Sequence, residues 1–136
     1  MTVSWAVHRL NGVSSPANAA YSVDELHHQL VTSRAKAMFT VRPLLETALK
    51  AAAKAKLSTD KIFLCDTPGD PDRHDPAAQT FKSFQQLLFE GRQLPPLESL
   101  SWSKGQGTRQ TAFLCYSSGT SGLPVSSRNS QHETVC

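Results

Sequence analysis

The sequence predicts an α/β fold built on a parallel sheet. Three observations carry this expectation. The runs "AKAMFTV" (residues 35–41) and "KIFLC" (61–65) are short and continuously apolar, as strands covered on both faces are. The segments before and between them place apolar residues at helical spacing. The alternation of strand, helix, strand, helix and strand repeats at about 25 residues, which leaves room for the crossover that parallel neighbours need.

The elements follow in order. Trp5, Val7 and His8 form the packing face of a short N-terminal helix. "GVSSPANAAY" opens with a brief extended piece that Pro16 and Asn18 interrupt. Ser22 to about Arg34 is an amphipathic helix. Ser22 and Glu25 have capping-box spacing, and Val23, Leu26, Leu30 and Val31 line one face. After the strand at 35–41, Leu44, Leu45, Ala48, Leu49, Ala52 and Ala55 make a second helical stripe, with Lys50, Lys54 and Lys56 towards its C-terminal end. The strand at 61–65 leads into "TPGDPDRHDP", a loop by its Pro, Gly and Asp content. Phe81, Phe84, Leu87 and Leu88 mark a further helix stopped by Gly91, and residues 92–110 are irregular. "TAFLCY" (111–116) is the last strand. The tail from Val125 to Cys136 shows no periodicity and reads as disordered.

Composition bounds the function. The 136 residues suit one domain, and the formal charge of +3 is spread without a basic block, which argues against a nucleic-acid partner. The apolar runs fall well short of the roughly 20 residues of a membrane span. The N-terminus does not read as a signal peptide, and there is no C-terminal peroxisomal signal, so a cytoplasmic location is expected. Three widely spaced cysteines, Cys65, Cys115 and Cys136, fit a reducing compartment; Cys65 and Cys115 end apolar runs, as buried thiols do.

The candidate site is "YSSGTSGLPV", residues 116–125. Gly119 and Gly122 allow turns that other residues resist. Successive N–H groups in such a turn form an anion-binding concavity, and the hydroxyls of Ser117, Ser118, Thr120 and Ser121 add donors or metal-facing oxygens. A loop leaving a strand end is where open α/β sheets bind ligands. Neither the GxxxxGK[ST] nor the GxGxxG spacing is present, and on these residues alone a solvent-exposed Ser/Gly turn is an equal reading. Elsewhere, His74 among Asp70, Asp72 and Asp75 sits in a turn-rich loop, and His27 and His28 point about 100° apart on a helix. No metal site is expected from either, and Trp102 reads as a packing residue.

The run from Ser117 to Pro124 resembles, without a gap, the phosphate-loop signature of the adenylate-forming (AMP-binding) superfamily, which includes acyl-CoA synthetases and 4-coumarate–CoA ligase-like enzymes. A second resemblance lies upstream in "SWAVHRLNGVSSPANAAYSVDELHHQLVTSRAKAMFT" (4–40), with Gly12, the "SPAN" at 15–18, Tyr21, Glu25, Leu26, Gln29, Leu30, Ser33, Ala35 and Lys36 in the family's order. The resemblance implies a fragment of the N-terminal domain of such an enzyme over residues 1–124, followed by a divergent tail. It implies ATP and Mg²⁺ as cofactors, CoA in intact relatives, and a carboxylic acid activated as its acyl-adenylate. Carried over position by position, Ser117, Ser118, Gly119, Thr120, Ser121 and Gly122 would contact the ATP phosphates; no catalytic residue is carried over. Val125 stands where the family has Lys, which removes a charge partner for phosphate. Relatives place most of their remaining machinery downstream of this loop, so no adenylation is expected from this chain alone. The alternative is a non-catalytic module that binds nucleotide weakly or pairs with another chain. In either case the last strand is expected to have an open edge suited to self-association.

Overall fold

The computed structural model describes residues 2–65, 80–117 and 125–130. In chain order these form α1 (Thr2–Arg9), α2 (Val23–Thr32), β1 (Met38–Thr40), α3 (Leu45–Lys54), β2 (Ile62–Leu64), α4 (Phe84–Gly91), α5 (Gln106–Arg109), β3 (Thr111–Ser117) and β4 (Val125–Ser130). Single 3₁₀ turns at Arg42–Leu44 and Thr59–Lys61 lead into α3 and β2. The chain divides into two compact units. One comprises Met1–Asn18 with Leu97–Cys136, the other Ala19–Pro96.

The Ala19–Pro96 unit holds the expected parallel pair. Met38 faces Ile62, Phe39 faces Phe63 and Thr40 faces Leu64, and the Phe39 and Phe63 rings lie 5.1 Å apart. The Cys65 N–H donates to Thr40 O at 2.8 Å, and the Leu64 N–H donates to Lys82 O at 3.0 Å, so β2 is bonded along both edges. Its outer neighbour is a single parallel bridge to Ser83. The core is narrow: Leu30, Ala48, Ala51, Ala52, Ile62 and Leu64 are buried, and Ile62 is the largest side chain fully enclosed. Alanine on α3 brings that helix close against α2, which suits a small core with few large side chains.

Helix α2 begins as its sequence dictates. Ser22 Oγ accepts from the Glu25 N–H, and the Ser22 N–H donates to Glu25 Oε2 at 2.8 Å. Helix α4 begins the same way, on Ser83 and Gln86, a Ser-x-x-Gln signal that the apolar stripe obscures in sequence. In the stripe, Phe81, Phe84 and Leu87 are half-buried and Leu88 is exposed, as is Phe89 beside it. Helices α1, α2 and α3 all end in Schellman turns. The left-handed residue in each is not Gly but Asn11, Arg34 or Lys56.

The other unit corrects two expectations. Strand β3, expected to keep an open edge, pairs antiparallel with β4, Ser117 facing Val125 and Cys115 facing Ser127, and meets Ser14 on its other edge. Residues 125–130, expected to be disordered, are therefore a strand, while 131–136 lie outside the described residues. Backbone pairing needs no apolar alternation, so a polar run such as "VSSRNS" gives no periodic signal while still satisfying the N–H and C=O groups along β3. The brief extended piece does form, as one parallel bridge from Ser14 to Phe113 on the other edge of β3.

Replacing Lys56 with Gly removes a side chain from a left-handed position and should raise stability by about 0.5–1 kcal/mol in denaturant unfolding. Ser22→Ala should lower it by about 1 kcal/mol. The Ser22 N–H and hydroxyl hold the Glu25 carboxyl below its ordinary value. That contribution is complete above the ordinary carboxylate range and is lost as pH falls through the depressed folded value. Unfolding midpoints compared at neutral and acid pH should show wild type losing more stability than Ser22→Ala.

Candidate functional site

The site is organised by β3, because the Ser/Gly loop starts where β3 ends. Ser117 is the last residue of the strand. Ser118, Gly119, Thr120, Ser121 and Gly122 lie outside the described residues, as does the His74 cluster. Both ends of the loop are fixed all the same. The Ser117–Val125 pair closes the hairpin, and the β3–β4 register continues down to Thr111 and Ser130.

The second edge of β3 is held by the N-terminal segment. The Ser14 N–H donates to Ala112 O at 2.9 Å, and the Leu114 N–H donates to Ser14 O at 2.9 Å. Two side chains extend this one-residue bridge. Buried His8 donates from Nε2 to the same Ala112 carbonyl at 3.0 Å, which fixes its tautomer, and its ring stands edge-on to Phe113 at 4.8 Å. Ser15 Oγ donates to Leu114 O at 3.1 Å. Ala112 itself is fully buried. Sequence reasoning groups His8 with Trp5 and Val7 as a packing face; the structure buries His8 and leaves Trp5 55% exposed, since the imidazole has a carbonyl to satisfy and the indole does not. Ser14 and Ser15 carry no pattern that marks them in sequence as partners of residues a hundred positions away.

Other contacts position the approach to β3. Arg9 donates to the carbonyls of Leu97 and Glu98 at 3.1 and 2.7 Å, tying α1 to the incoming segment. Trp102 lies over α5; a Cβ on Gly107 would meet its ring at 3.3 Å. Cys65 and Cys115 are half-buried and outside any disulfide, and His27 and His28 are half-buried on α2. Among the described residues no group of three or more His, Cys, Asp or Glu side chains could hold a metal, and no helix is long and apolar enough to cross a membrane.

A family model described as "AMP-binding enzyme" matches residues 1–124. The chain belongs to the AMP-binding enzyme family. It is 41% identical over 123 residues to the acyl-CoA ligase AKT1 of Alternaria alternata, a match spanning 89% of this chain and 20% of that protein. It is 39% identical over 120 residues to the acyl-CoA ligase cm3C of Cordyceps militaris, spanning 87% of this chain and 19% of that protein. The chain thus spans about a fifth of the length of these curated relatives. Among solved structures it resembles the anthranilate CoA ligase AuaEII in complex with anthranoyl-AMP, with a TM-score of 0.71 and 18% identity over 96% of this chain and 22% of that one. It also resembles the luciferase-like enzyme of the mealworm Zophobas morio, with a TM-score of 0.65 and 21% identity over 94% of this chain and 27% of that one. At such identities the structural likeness speaks to fold, which is that of the N-terminal part of AMP-binding enzymes.

In this member of the AMP-binding enzyme family, Gly12 joins α1 to the segment that lines β3. A Cβ there would lie 2.9 Å from Val7 Cγ1 and 3.1 Å from the Val7 carbonyl that the Gly12 N–H bonds at 2.8 Å. Gly12→Ala should therefore destabilise the chain by about 1–2 kcal/mol, read from thermal or denaturant unfolding.

Proposed function

We propose that residues 117–122 are the ATP-phosphate loop of an acyl-CoA ligase. The enzyme would activate a carboxylic acid as its acyl-adenylate and then transfer the acyl group to CoA. The observation that carries this reading is the unbroken "SSGTSGLP" signature at the end of β3, in a chain matched by the AMP-binding model up to residue 124. The similarity to fungal acyl-CoA ligases supports the reaction class.

The chemistry suits the residues. An attacking carboxylate and a polyphosphate repel each other, and backbone N–H groups and hydroxyls fixed before the substrate arrives offset that charge. Ser117, Ser118, Thr120 and Ser121 supply the hydroxyls; Gly119 and Gly122 let the backbone come close. The loop has no carboxylate, so Mg²⁺ would be held largely through the phosphates, with Ser or Thr oxygens beside it. When bound, the ion adds positive charge opposite the leaving pyrophosphate. Reduced thiols at Cys65 and Cys115 suit a cytoplasmic setting.

These 136 residues on their own are expected to bind ATP without turning it over, because they span a fifth of the relatives' length. The exposed Leu88 and Phe89 in one unit, and Trp5, Leu10 and Leu97 in the other, favour a second property, self-association of the isolated chain. Sedimentation should show oligomers; a compact monomer would count against this.

Incubation with ATP, Mg²⁺ and a panel of carboxylic acids should give nucleotide binding by calorimetry but no acid-dependent pyrophosphate. Release of pyrophosphate would contradict the expected inactivity, and absence of ATP binding would contradict the phosphate-loop assignment. Val125→Lys, which adds a cation directly after the signature, should tighten ATP binding by about threefold to tenfold.

A further inference from the structure

The hairpin that carries the loop contains an irregularity placed at one residue. Thr111 faces Ser130 and Phe113 faces Asn129, so two steps along β3 answer one step along β4, and Ala112 has no β4 partner. Ala112 is the most buried residue of β3, and its carbonyl is the one that accepts from both the Ser14 N–H and His8 Nε2. The groups on the far edge thus converge on the bulged residue.

The bulge decides where the loop begins and ends. With it, Ser117 faces Val125 and seven residues, 118–124, lie between them. Had the Thr111–Ser130 register continued without it, Ser117 would face Pro124, which has no N–H to offer the ladder, and six residues would remain. A one-residue slip also turns every later side chain of one strand to the opposite face.

We infer that His8 is a positioning residue for the phosphate loop. By donating to the Ala112 carbonyl it holds the bulge, and the bulge fixes the hairpin register that sets the span of residues 118–124. Ser14 and Ser15 act with it, Ser14 on the same carbonyl and Ser15 on the Leu114 carbonyl two residues further on. The consequence for nucleotide rests on the phosphate-loop reading above, whereas the register is measurable without nucleotide.

Two substitutions separate the donor from the ring. His8→Phe keeps a ring against Phe113 and loses the donor. His8→Gln keeps a donor at a reach similar to Nε2 and loses the ring. Each would be made in the full 136-residue chain and examined by cross-strand NOEs between Ser117 and Val125 and by calorimetric titration with Mg·ATP. The expected result is that His8→Phe loses or shifts the Ser117–Val125 contacts and binds ATP about fivefold more weakly, while His8→Gln retains both properties. A role in packing alone would give the reverse order, with Phe tolerated and Gln not.

Native Ser117–Val125 contacts in a folded His8→Phe protein would overturn the inference, as would loss of those contacts in His8→Gln. Should His8→Phe fail to fold, a native register in His8→Gln supports the role of the donor and a shifted one overturns it. If wild type binds no ATP, the phosphate-loop reading fails, and the NOE comparison still decides whether His8 sets the register.

Discussion

The buried Ala112 carbonyl is the point on which the candidate site depends. Ala112 is the buried residue of β3, so its peptide groups lose water and must find other partners. On one edge β4 supplies partners from Phe113 to Ser117. At Ala112, where β4 skips a residue, they come from Ser14 and His8. The strand that ends at the Ser/Gly loop is therefore bonded along both edges by segments from opposite ends of the sequence. A phosphate loop needs such anchoring, because its donors help only if they are oriented before the ligand arrives.

The two units use different kinds of interaction. The Ala19–Pro96 unit resembles a small α/β layer, with apolar strands, alanine-rich helix contact and capping boxes at two helix starts. Its surface ion pairs, Lys50 with Glu46 and Lys54 with Asp24, are well exposed, so they add little against solvent screening. The other unit has few buried apolar side chains among the described residues. It is held mainly by backbone pairing and by side chains that bond carbonyls: His8, Arg9 and Ser15. Directional bonds fix register better than apolar contact does, and register is what a loop closed by a hairpin requires.

Membership of the AMP-binding family gives these features a context. In the whole enzymes the N-terminal part is one contributor among several, and this chain corresponds to about a fifth of their length. Several large apolar side chains remain exposed in both units, including Phe89 at 66% and Leu10 at 64%. A surface of that kind is more typical of a segment with further contacts to make than of a self-contained monomer.

The sequence by itself determined the local elements and the family. Period and capping chemistry act over three or four residues, so Ser22 with Glu25, the α3 stripe and the apolar runs of β1 and β2 were all legible there. The run from Ser117 to Pro124 marked the candidate loop through its resemblance to the family signature. Tertiary structure decided what lies across long separations. It paired β3 with β4 and with Ser14, made a strand of the polar run at 125–130, buried His8 while leaving Trp5 exposed, and set a bulge at Ala112. None of these leaves a periodic trace, because each depends on which backbone groups a distant segment must satisfy once water is excluded.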